Sequence, residues 1–140
     1  MKRLILIFTV LLFSVSLFAQ MGMDMSGSSM KMNNTMFMGY LSDVKCAESN
    51  NGVTSDGINL KLHPEKHTVA CMKMAPCAMS GYGLFIKGSD GTYSFYRFDK
   101  KGTDMAKNLL KKTKKKEGIS VHITGEMKNN IINVATIQEM

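Results

Sequence analysis

Residues 82–98, YGLFIKGSDGTYSFYRF, decide the fold. Two β-rich runs flank Ser89-Asp90-Gly91, a Gly-bounded turn, and that is the signature of a hairpin. Downstream, Thr103 or Asp104 can cap a helix with Met105, Ala106, Leu109 and Leu110 on one face, and Gly118 is placed to end it. ISVHITGEM then alternates Ile119, Val121 and Ile123, and Lys128-Asn129-Asn130 turns the chain into IINVATIQE, a second hairpin. Upstream, MFMGYLSDV predicts strand 1 over 36–44, with Phe37 and Leu41 on one parity and Met38 and Tyr40 on the other.

Three strands, a helix and two strands make up the element order of an OB-fold, a five-stranded Greek-key barrel with its helix between strands 3 and 4. The expected class is therefore mainly β and OB-fold-like. Residues 45–80 become an enlarged connection between strands 1 and 2, with 45–63 read as loop. A short helix is expected over 64–74, opened by Pro64 and stopped by Pro76.

The chain opens with Lys2 and Arg3 followed by an apolar stretch from Leu4 to Phe13, too short to span a bilayer and shaped like a secretory signal ending near Ala19. The expected domains are thus a signal peptide at 1–19, a Met-rich tail at 20–35 and an OB-like domain at 36–140. The expected location is exported, periplasmic or secreted, with no membrane span after signal removal. Loss of Lys2 and Arg3 leaves 16 basic and 11 acidic residues, a mildly basic chain. Its lysine run, Lys111 to Lys116, reads as a solvated helix end better than as a nucleic-acid patch. An exported address also argues against nucleic acid as partner.

Gly39, Leu41, Asp43 and Cys46, then His67, Cys71, Cys77 and Gly81, then Val121 to Gly125, follow one another in a pattern. It resembles a group of small exported bacterial domains of unknown function that open with Gly-x-hydrophobic-x-Asp-x-x-Cys. The resemblance spans 38–138 and implies an exported OB-like barrel, without an activity. Five residues separate Cys71 from Cys77, where the group has three.

Three thiols and an imidazole (Cys46, His67, Cys71, Cys77) are a chemically sensible ligand set for a tetrahedral ion, and thiolates suit Cu(I) or Zn(II). An oxidising compartment also favours a disulfide, and the odd count leaves one thiol over. Cys46 with Cys71 would staple the long connection to strand 1; Cys71 with Cys77 is the alternative.

Seven methionines fall within 21–38, and Met21, Met23, Met25, Met30 and Met32 lie in a stretch rich in Gly, Ser and Asn. Thioethers prefer Cu(I) and are not consumed by disulfide formation. The spacing is similar to the Met-rich segments of exported copper-handling proteins, which implies copper ahead of zinc. No C-x-x-C, haem-attachment, phosphate-loop, nucleophile-elbow or zincin motif is present, so a non-enzymatic binding module is expected. The rival reading is a polymer- or partner-binding barrel with Tyr82, Phe85, Tyr93, Tyr96 and Arg97 as its binding face.

Overall fold

The computed structural model describes residues 34–140; the segment expected to be a signal and the tail methionines Met21, Met23, Met25, Met30 and Met32 lie outside them. Five strands, β1 (Thr35–Asp43), β2 (Tyr82–Lys87), β3 (Tyr93–Phe98), β4 (Ser120–Lys128) and β5 (Ile131–Glu139), form one sheet that closes on itself in the order β1-β2-β3-β5-β4. Among the described residues no helix is long and apolar enough to cross a membrane.

β1 closes the ring because it pairs with two neighbours in turn, with β4 from Thr35 to Tyr40 and with β2 from Tyr40 to Asp43. Where it passes from one to the other, Gly39 lies so near the Phe85 carbonyl that any Cβ would collide with it. The β4–β5 hairpin turns at Asn129 and Asn130, both at positive φ, as the two-residue turn that matches strand twist requires. Alternation sends Leu41, Leu84, Val121, Ile123, Ile132 and Val134 inward, all nearly inaccessible to solvent.

Helix α4 (Lys100–Lys112) packs Ala106 and Leu110 onto this core. Its cap is Asp99, upstream of the expected Thr103 or Asp104. One Asp99 carboxylate oxygen accepts from Gly102 N at 2.9 Å and from Val134 N at 3.1 Å, so the cap also ties the helix to β5. Gly118 does not end this helix, which closes at Thr113. At φ 62° it instead carries the chain tightly past the Glu65 carbonyl, and its N–H donates to His67 O at 3.1 Å.

The β1–β2 connection is more ordered than the expected loop and single helix. It holds α1 (Val44–Glu48), a 3-10 turn at Ser49–Gly52, another at Pro64–Lys66, then α2 (Val69–Lys73) and α3 (Ala75–Ser80). Pro64 does begin a helical turn, but only a short one. Thr68 starts α2 afresh by accepting from Cys71 N at 3.1 Å, and Pro76, expected as a stop, lies in the first turn of α3. His67 and Cys71 therefore do not share one continuous helix.

Candidate metal site

Asp43 ends β1 and caps α1, its Oδ1 accepting from Cys46 N at 2.8 Å. This Asp-x-x-Cys step turns the chain sharply, so the Cys46 sulfur lands beside its own cap. His67 sits between the 3-10 turn and α2, held by His67 N donating to Pro64 O and by Gly118 N donating to His67 O. Its ring is directed back toward the end of β1. Cys71 and Cys77 arrive from α2 and α3.

Asp43, Cys46, His67 and Cys71 bring one donor atom each to within 4.8 Å of one another, and this cluster can hold a metal ion. Cys46 Sγ lies 3.6 Å from Cys71 Sγ and 3.9 Å from Cys77 Sγ. All three cysteines are free thiols, so Cys46 stands between two possible pairing partners.

His67 Nδ1 lies 2.9 Å from Ser42 Oγ, whose own hydrogen is directed at Asp43 O at 3.3 Å. With the ring proton on Nδ1, the tautomer a ligating Nε2 requires, His67 donates to Ser42 Oγ. That leaves Nε2 as a bare acceptor, 3.4 Å from Asp43 Oδ2, and neither atom has a hydrogen-bond partner although both are fully buried. Two facing lone pairs in a dry site are costly unless a proton or a cation lies between them.

A tetrahedral ion with nitrogen and oxygen bonds of about 2.0–2.2 Å spans an N–O edge of about 3.4 Å, and with bonds of about 2.3 Å to sulfur an S–S edge of about 3.8 Å. The observed 3.4 Å and 3.6 Å edges are of this length, and all four donor atoms lie within 4.8 Å of one another. The Nδ1 contact with Ser42 Oγ also fixes the ring orientation, as the outer partners of ligating histidines do.

Protonation follows the same surroundings. Burial lowers the His67 pKa, with Asp43 opposing less strongly, so the imidazole is held neutral as a ligand must be. Burial, then Asp43, pushes the Cys46 thiol far up, and the same causes push Cys77 up to about 11. Without a cation these thiols keep their protons. Tyr82 rises to about 12 for the same reasons, burial first and Asp43 second.

Of the ligands expected from sequence, Cys46, His67 and Cys71 come together. Cys77 touches Cys46 but stands outside the four-atom set. Asp43 was missed as a ligand; its signal was the Asp-x-x-Cys spacing that makes it a cap with one oxygen to spare. The thiols open on a cavity of about 220 Å³ whose wall includes Met74 and Pro76.

The expected aromatic binding face is not present as drawn. Tyr82 is 2% exposed and points inward, its hydroxyl donating to Met72 O at 2.7 Å. Phe85 is directed outward but is covered by Ala47 and Leu60 of the β1–β2 connection. Tyr96 packs against the ring core, Arg97 is ion-paired with Glu48, and Tyr93 is half-buried, edge-on to Tyr40 with its ring centroid 6.1 Å away. No family model, no curated protein and no solved structure matches this chain.

Proposed function

We propose that the protein is an exported, non-enzymatic module that binds one thiophilic metal ion through Asp43, Cys46, His67 and Cys71. The observation that carries this reading is the pair of buried polar atoms without a hydrogen-bond partner, Asp43 Oδ2 and His67 Nε2, separated by the edge length of a tetrahedral ion. Two thiolates, an imidazole and a carboxylate form a borderline donor set suited to Zn(II). Cu(I) is the second reading. It is favoured by Cys77 beside Cys46, which offers a third sulfur, by Met74 in the wall of the cavity, and by the methionine-rich sequence at 21–38.

The export reading draws on the first nineteen residues and on the resemblance to small exported domains, whose Asp, His and Cys positions coincide with the cluster. The OB-fold reading draws on the strand order and on α4 lying between β3 and β4. The test is metal analysis of the full chain after equilibration with equal Zn(II) and Cu(I) under anaerobic, reducing conditions. One tightly held ion per chain is expected, lost in Cys71→Ser and weakened at least tenfold in His67→Gln. Chains that carry no metal, or retain it unchanged in Cys71→Ser, overturn the proposal.

A further inference from the structure

Methionine fills irregular gaps in cores, and an exposed thioether adds little to a fold. This chain uses the residue differently. Among the described residues only Met72 is buried, and six of the eight exposed large apolar side chains are methionines. Two of these stand beside a histidine.

β1 directs Phe37 and Leu41 toward the core, so Met36 and Met38 project from the outer face of the ring, 61% and 53% exposed. β4 buries Val121 and Ile123 and therefore presents His122 and Thr124 on that same outer face. The register places Met38 directly opposite His122 and Met36 opposite Thr124. Residues directly opposite have Cβ atoms about 4.5–5.5 Å apart, and the next outward residue along a strand is about 7 Å away. Each thioether ends a chain of three rotatable bonds, so both sulfurs can reach an ion held at the His122 ring. Among the described residues no hydrogen bond or ion pair engages that ring.

We propose that Met36, Met38 and His122 form a second metal site, on the outer face of β1 and β4, for a soft monovalent cation such as Cu(I) or Ag(I). None of the three donors brings a negative charge, which suits a singly charged ion, whereas the thiolates and carboxylate of the buried cluster would offset a divalent one. The strands are rigid and set the spacing, while the flexible thioethers close on the ion, and the solvent side stays open for a further ligand. Such an open face exchanges its ion readily. The proposal is independent of the buried site.

The test is a titration of the full chain with Ag(I), a redox-inert soft cation, followed by NMR of the methionine methyl groups and histidine rings. The Met36 and Met38 methyl signals and the His122 ring signals should move along one binding curve. Met38→Leu, which keeps size at an exposed strand position, should weaken that response at least tenfold and leave the His67 ring signals as they were. An unmoved His122 ring at saturating Ag(I), or a His122 response unchanged in the Met36→Leu, Met38→Leu double variant, overturns the site.

Discussion

The ring core and the β1–β2 connection are both buried, yet they are built on opposite rules. In the core Leu84, Val121, Ile123 and Ile132 are essentially inaccessible and carry no polar atom that needs a partner. Across the end of β1, Ser42, Asp43 and His67 are as deeply buried, and two of their polar atoms have none. The core is complete without a ligand. The connection leaves Asp43 Oδ2 and His67 Nε2 facing each other without a partner, where the proposed cation would satisfy both.

That contrast separates two kinds of stability, and the largest effect belongs to the connection. Free metal at a thousandfold above its dissociation constant should stabilise the chain by about 4 kcal/mol, seen as a melting temperature that rises with metal concentration. Calorimetry of Cys71→Ser should show that gain gone while the metal-free transition stays close to that of the parent. Next is the core: Leu84→Ala should cost about 3 kcal/mol, equally with and without metal, in denaturant melts. A Leu84→Ala loss that depends on metal would break the comparison, because the two regions would then be one cooperative site.

The local elements of this fold were legible and the tertiary ones were not. Alternation, with the Ser89-Asp90-Gly91 turn in one and the Asn129-Asn130 turn in the other, defines both hairpins from short contiguous stretches of chain, and the structure keeps them. The capping of α4 was misread because Asp99, Thr103 and Asp104 are all chemically competent, and Asp99 gains its advantage from Val134, far along the chain. The cysteines and His67 were legible as donors by type. Asp43 was not, since an aspartate beginning a helix is ordinarily a cap and nothing more. The exposure expected of Phe85 failed for a different reason. Strand parity says which way Phe85 is directed, but only the folded connection shows Ala47 and Leu60 lying over it.

Acid should sharpen the comparison further. Burial lowers the His67 pKa in the folded chain below its unfolded value near 6.5, so the unfolded state takes up a proton first as pH falls. The metal-free protein should therefore keep this contribution above about pH 6.5 and lose it progressively down to the folded pKa. Denaturant melts from pH 7.5 to 5 measure the loss, and His67→Gln should flatten it. A slope unchanged by His67→Gln would place the titrating group elsewhere.

The smallest expected effect is a gain. Asp43→Asn keeps an oxygen to cap α1 and offers an N–H to His67 Nε2, so the metal-free protein should become more stable by about 1 kcal/mol. Its metal affinity should fall at least tenfold. Stabilisation and lost binding in one substitution would show that the buried carboxylate is retained for the ion and not for the fold.

X-ray absorption at the metal edge of the loaded chain tests the account most directly, because it reads the donor set itself. The account predicts two sulfur neighbours at about 2.3 Å and two nitrogen or oxygen neighbours at about 2.0–2.1 Å, with one of the lighter neighbours changed in His67→Gln. A first shell made only of sulfur, or only of nitrogen and oxygen, would contradict the Asp43, Cys46, His67 and Cys71 site.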